Sequence, residues 1–241
     1  MSMTDGAGVW LFGGRCTATD RAQHIFRVKN LAIAMTEFSL PSADAHLLVL
    51  ARVPVLGQVK SRLAAEIGAP AALAAYRELL AITRAAAAGA GVHGTAWLAG
   101  PAAAVAAWAW PELAVCTQPP GDLGRRLAAA FAAAFAAGAG RVAVIGTDCP
   151  GLRAAHLTRA FALLADHDLV LGPAADGGYY LLGLRQIQPA LFQHKAWGTA
   201  SVLADTLADA RRLGLRVAQL PTLRDVDTAA DLAAWRAEMP A

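Results

Sequence analysis

The sequence predicts an α/β fold built on a mostly parallel central sheet with helices on both faces. Short apolar runs alternate with longer stretches of helical period from residue 46 onward, the pattern of strands joined by crossover helices. The runs are also nearly continuous Val, Leu and Ile rather than alternating with polar residues. Strands buried on both faces read that way.

The elements follow in order. His46 to Arg52 (HLLVLAR) reads as a buried strand running into a Pro54/Gly57 loop. Ala71 to Ala88 carries leucines at helical spacing, followed by candidate strands at Gly94 to Leu98 and Leu113 to Cys116. Leu123 to Ala137 reads as a helix that Asp122 can cap. Arg141 to Ile145 is a strand, Arg153 to Asp166 a helix, and Asp168 to Leu171 a strand. Tyr179 to Leu184 forms a further strand after a Gly-Gly turn. Thr199 to Leu213 (helix), Arg216 to Leu220 (strand) and Thr228 to Glu238 (helix) complete the chain.

The 241 residues suit one sizeable α/β domain, assigned to residues 45–241. Residues 1–44 are assigned to a poorly ordered N-terminal extension, because residues 1–34 lack clear periodicity, no signal peptide can be read in them, and Thr36 to Ala45 lead into the first strand. With 56% hydrophobic residues the chain has ample core material, yet no run reaches the roughly 20 apolar residues of a membrane span. The net charge of +3 comes from scattered arginines without a basic run or interleaved aromatics, so nucleic acid is not an expected partner. Cys16, Cys116 and Cys149 are odd in number and widely spaced, which fits a reducing cytoplasm.

In parallel sheets the ligand sits beyond the carboxyl ends of the strands, so chemistry is sought in the loops there. The loop after the first strand contains Arg52, Pro54, Gly57, Lys60 and Arg62. Cations beside a glycine are what a pyrophosphate needs, although ordinary surface charges would read the same. Gly146-Thr147-Asp148-Cys149-Pro150-Gly151 follows the Arg141 strand. Asp148 at a buried strand end suits a magnesium or manganese ion bridging phosphates, the alternative being a cap on the next helix. Cys149 reads better as a small buried residue than as a nucleophile, since His156 shows no sign of turning back to it. Asp122 reads as a helix cap, and Arg125 in that first turn opposes the helix dipole, which a nearby anion would explain. Asp176-Gly177-Gly178 reads as a turn whose glycines let a ligand approach the backbone, with Asp176 available to a hydroxyl. Asp225 and Asp227 precede the last helix; one of them is expected to cap it and the other to complete a metal site with Asp148.

Taken together and in order, PVLGQVKSRL, QPPGDLGRR, GTDCPGL, LGPAADGGYYLLGL, WGT and DVDT resemble the glycosyltransferase-A-like family labelled radical-SAM/selenodomain-associated transferase, over residues 46–236. That resemblance implies a Rossmann-like three-layer sandwich of the nucleotide-diphospho-sugar transferase type. It implies phosphate contacts at Lys60 and Arg62 and a divalent metal, magnesium or manganese, at Asp148. Asp225 or Asp227 would be a second acidic contact. Asp176, Gly177, Gly178 and Tyr179, with Trp197 and Thr199 of the WGT element, would face the sugar or acceptor. Ala200 stands where the family often has an acid, which weakens a base at that position. The KSRL loop and the Asp-Gly-Gly turn are also similar to guanylyltransferases that activate phosphorylated small molecules in deazaflavin-cofactor biosynthesis. The expected activity is therefore glycosyl transfer from a nucleotide diphosphate sugar. Nucleotidyl transfer from a nucleoside triphosphate is the runner-up, and a non-catalytic nucleotide-binding module is the third reading.

Overall fold

The computed structural model describes residues 44–238. The expected extension over residues 1–44 lies outside them except for Asp44, and so does Cys16. Seven strands form one sheet: β1 (Ala45–Arg52), β2 (Gly94–Ala99), β3 (Ala114–Thr117), β4 (Arg141–Ile145), β5 (Leu169–Pro173), β6 (Tyr179–Leu184) and β7 (Val217–Gln219). Their spatial order is β3-β2-β1-β4-β6-β5-β7. Every pairing is parallel except those of β6, which runs antiparallel to both β4 and β5. The reversal follows from chain length. Only Ala174 to Gly178 separate β5 from β6, too few residues for the crossover that a parallel neighbour needs.

The described residues form seven helices: α1 (Ser61–Ile67), α2 (Ala69–Gly89), α3 (Ala102–Ala107), α4 (Leu123–Ala136), α5 (Ala154–Leu163), α6 (Val202–Arg212) and α7 (Ala229–Glu238), with a 3-10 turn at Pro189–Phe192; α1 and α7 pack on α2 rather than on the sheet. Successive strand residues point to opposite faces. Leu47, Val49 and Ala51 of β1 therefore pack with Leu73 and Tyr76 of α2 and Leu157 and Phe161 of α5. Leu48 and its neighbours Val144 and Leu182 pack instead with Leu127 and Phe131 of α4 and Ala210 of α6. The architecture is thus the three layers expected. PVLGQVKSRL reads in the sequence as loop throughout, whereas its last residues open α1. Seven residues are too few for a clear helical period, and this helix is held by the fully buried Leu63 against Ala72 and Ala75.

This topology brings the carboxyl ends of β1, β2, β3 and β4 to one edge of the sheet. Because β6 is reversed, its first residue, Tyr179, arrives at that same edge. No helix among the described residues is long and apolar enough to cross a membrane.

Candidate functional site

The floor of the site is built where β1 ends. The Tyr76 hydroxyl, reaching up from α2, accepts the Arg52 N–H at 3.0 Å and donates to the Arg52 carbonyl at 2.9 Å. The Thr147 hydroxyl lies 3.4 Å away. One phenol thereby ties the loop after β1 to the loop after β4, and burial pushes its own ionisation upward, so it stays a hydroxyl. The chain then turns through Gly57 (φ +75°) to Lys60, which precedes α1 with a left-handed backbone, φ 49° and ψ 51°. Non-glycine residues adopt that conformation rarely, and it persists where the surroundings enforce it.

What enforces it is the destination of the side chain. The Lys60 ammonium is ion-paired with Asp148 and donates to Asp227 Oδ1 at 2.9 Å, with the side chain only 5% exposed. Burial by itself depresses the ionisation of Lys60, but the two carboxylates outweigh it and the net shift is upward. Arg62 Nη1 lies 3.9 Å from the other Asp227 oxygen, with its side chain 72% exposed. Asp148 and Asp227 are far apart in sequence and meet through the main chain: the Val226 N–H donates to the Asp148 carbonyl at 3.0 Å. Buried Val226 wedges between Leu79 of α2 and Trp235 of α7 and so fixes that register.

The two aspartates that the sequence left interchangeable therefore differ. Asp227 joins Asp148, whereas Asp225 does not line the cleft; burial, then the nearby Asp176 charge, raises its ionisation. The expectation that one of them caps the last helix is corrected. The Thr228 hydroxyl accepts the Asp231 N–H at 3.2 Å, and the Asp231 carboxylate accepts the N–H groups of Asp227 and Thr228. That exchange serves the helix end and leaves the Asp227 side chain to Lys60. Asp148 is not a helix cap either, since Arg153 holds that position on α5. His156 accepts the Arg153 N–H at 3.0 Å instead of facing Cys149. Burial, then the charges of Asp148 and Asp225, pushes the Cys149 thiol far up, so it is no nucleophile.

Around this floor opens a cleft of about 660 Å³. Of the residues singled out in the sequence, Arg52, Lys60, Arg62, Asp122, Asp148, Tyr179, Trp197 and Asp227 line it. Gly57, Arg125, Asp176, Gly177, Gly178, Thr199 and Asp225 do not. Asp122 caps α4, its Oδ1 accepting the Arg125 N–H at 2.8 Å. The cation that faces the cleft from this helix is Arg126, one position further on. Arg126 donates to the Gly121 carbonyl and to Gln118 Oε1, while the Gln118 amide nitrogen donates to the carbonyls of Ala51 and Trp97.

Trp197 and Gly198, in the segment that follows the 3-10 turn, line the opposite side. A β-carbon at Gly124 would collide with the Phe192 carbonyl and lie 2.7 Å from Trp197 Nε1, so this glycine lets the WGT segment rest on α4. A β-carbon at Gly177 would collide with the Ala200 carbonyl. The close backbone approach expected of a ligand there is made by the chain itself. Asp176 accepts the Gly178 N–H at 2.8 Å, closing its turn. The Lys195 side chain, 1% exposed, anchors the segment from below through a 2.7 Å ion pair with Asp209. The Tyr179 hydroxyl is buried and without a partner among the described residues. Tyr76, Gln118, Gly124, Arg126 and Lys195 were not singled out in the sequence. Only Gly124, a glycine in the first turn of an alanine-rich helix, carried a local signal.

Residues 81–199 match the family described as "Uncharacterized protein conserved in bacteria (DUF2064)". The crystal structure of a candidate nucleotide-diphospho-sugar transferase from Desulfovibrio desulfuricans G20 is 33% identical, with a TM-score of 0.75 over 79% of this chain and 85% of that one. The chain belongs to the DUF2064 family. Its fold is accordingly of the nucleotide-diphospho-sugar transferase type that the sequence resemblance implied. Two more distant structures share the fold. Rv0371c from Mycobacterium tuberculosis H37Rv, solved in complex with manganese, is 22% identical with a TM-score of 0.51, covering 81% of this chain and all (100%) of that one. A nucleotidyl transferase from Methanothermobacter thermautotroptrophicus (Mth528) is 17% identical with a TM-score of 0.53, covering 79% and 96%. No curated protein matches the sequence.

Proposed function

We propose that this DUF2064 protein is a metal-dependent transferase that takes a nucleotide diphosphate sugar as donor. The observation that carries the reading is the convergence of Asp148 and Asp227 on one cation position in the cleft floor, beside the Lys60/Arg62 loop. Two carboxylate oxygens aimed at one point suit a hard divalent ion, which commonly binds one or two carboxylates and completes its shell with substrate phosphates and water. The distant Rv0371c structure, which shares the fold, is a complex with manganese. Asp148 and Asp227 would hold magnesium or manganese, and the ion would neutralise charge on the diphosphate leaving group. Lys60, Arg62 and Arg52 would bind phosphate oxygens, and Arg126 the far side of the nucleotide. Trp197 and Tyr179 would shape the sugar side and exclude water. The catalysis is electrostatic and needs no covalent intermediate.

A specific observation favours a second reading, nucleotidyl transfer. The acids lining the cleft are Asp122, which caps α4, and the pair Asp148 and Asp227; Asp176 is turned into its own loop. A sugar hydroxyl acceptor generally calls for a base, whereas a phosphorylated acceptor is already anionic at neutral pH and needs none. Product analysis with magnesium or manganese separates the two: nucleoside diphosphate release marks glycosyl transfer, pyrophosphate release marks nucleotidyl transfer. In either case Asp148→Asn is expected to abolish turnover and the metal-dependent part of nucleotide-induced thermal stabilisation, with the fold intact by circular dichroism. Unchanged kinetics in that variant would refute the metal assignment.

A further inference from the structure

The position that Asp148 and Asp227 make for a divalent ion is already taken by a side chain. The Lys60 ammonium sits between both carboxylates, is almost wholly withdrawn from solvent, and is delivered there by a left-handed backbone turn. Two carboxylates and one ammonium sum to a single negative charge, leaving little electrostatic drive for a free dication to enter. Adding one without moving Lys60 would set like charges side by side. Nor is there a third donor to tip the balance: among the described residues, no group of three or more His, Cys, Asp or Glu side chains converges. Two carboxylates alone make a weak magnesium site that relies on substrate phosphates to fill its coordination.

We propose that Lys60 is a built-in counter-ion that keeps the Asp148–Asp227 position closed to metal until phosphate arrives, so that metal binding is obligatorily coupled to nucleotide. The inference rests on the metal reading given above. An incoming diphosphate, which carries two negative charges of its own, would offer Lys60 an alternative anionic partner. Drawing the ammonium onto phosphate frees both carboxylates, and the same phosphates supply the oxygen ligands that the pair lacks. Lys60 thus acts as a positioning residue for the metal as well as a phosphate contact. Arg62, 72% exposed and 3.9 Å from Asp227, remains beside the pair as a solvent-facing cation.

The test is manganese binding by full-length protein, read from the electron paramagnetic resonance signal of free Mn²⁺. No turnover is needed. Wild-type protein alone is expected to bind Mn²⁺ weakly. Lys60→Met, which keeps the stem and removes the charge, is expected to bind one Mn²⁺ at least tenfold more tightly without nucleotide, and adding Asp148→Asn to it should abolish that gain. Should Lys60→Met misfold, Lys60→Ala carries the same test, and the wild-type protein adds a second one. Its Mn²⁺ affinity should rise at least tenfold when a nucleoside diphosphate (ADP, GDP, CDP and UDP tried in turn) is present beyond what the free nucleotide chelates. Tight, Asp148-dependent Mn²⁺ binding by wild type alone, unchanged in Lys60→Met, would overturn the counter-ion role and leave the metal reading standing. If Mn²⁺ binds neither protein at Asp148, with or without nucleotide, the metal reading itself falls, and this inference with it.

Discussion

Replacing Tyr76 by phenylalanine removes one oxygen from a position where it ties two loops of the cleft together. The phenol makes two good bonds to the Arg52 main chain, 3.0 Å and 2.9 Å, and a longer contact of 3.4 Å to Thr147. The long contact adds little. Each of the other two is worth roughly 0.5–1.5 kcal/mol net. The ring stays in the core formed with Leu73, Leu80 and Val53, so no packing is lost. Tyr76→Phe is therefore expected to destabilise the protein by about 1–3 kcal/mol, and at roughly 2–4 °C per kcal/mol for a protein of this size the melting temperature should fall by about 2–12 °C. Urea unfolding gives the free energy directly, with the midpoint shifting and the slope unchanged. The functional consequence is separate. Freed from Tyr76, the end of β1 is no longer tied to Thr147, so nucleotide should bind more weakly while added metal still responds through Asp148. A loss below about 0.5 kcal/mol would mean that water replaces the phenol at the exposed Arg52 backbone, and the anchoring of the end of β1 by Tyr76 would be refuted.

Other positions give results of opposite character. At Gly124, helix propensity favours alanine by about 1 kcal/mol, yet the new β-carbon collides with the Phe192 carbonyl and crowds Trp197; overpacking costs about 1–3 kcal/mol. Gly124→Ala is therefore expected to lower the melting temperature and weaken ligand binding by lifting the WGT segment, and a higher melting temperature would show that the segment is not held there. Acid sensitivity tests the β5–β7 edge. The Arg216 guanidinium, then the Arg216 amide, hold the Asp168 carboxyl at about 2, below its ordinary value. A depressed carboxyl contributes stability above its unfolded value near 4 and loses it as pH falls through the folded one. The stability gap between wild type and Asp168→Asn should thus be full at pH 6 and shrink between about pH 4 and pH 2; a gap constant across that window would exclude the ion pair as its source. In the core, Phe131 is fully buried with its ring 5.5 Å from that of Phe192. Phe131→Ala should cost about 3–5 kcal/mol by equilibrium unfolding, and a loss under about 1 kcal/mol would mean that the α4 layer re-forms around the cavity.

What the sequence determined by itself was local or periodic. Continuous apolar runs such as LLVL and RVAVI marked strands buried on both faces, and the leucine spacing of Ala71 to Ala88 marked α2. Turn residues placed the loops at strand ends where parallel sheets bind ligands, and this picked out Lys60 and Asp148. Hidden from it was every choice between neighbouring or repeated residues. Successive helix positions are about 100° apart, so whether Arg125 or Arg126 faces the cleft depends on how α4 is rotated when Leu127 and Phe131 enter the core. Asp225 and Asp227 have the same chemistry, and only Val226, seated between α2 and α7, decides which reaches Asp148. A lysine in a glycine-containing loop reads as a solvated charge; its burial between two aspartates needs a contact spanning 167 residues of sequence separation. Such long-range pairings carry no period and no spacing along the chain, because they are set by how whole layers pack. That packing exists only in three dimensions.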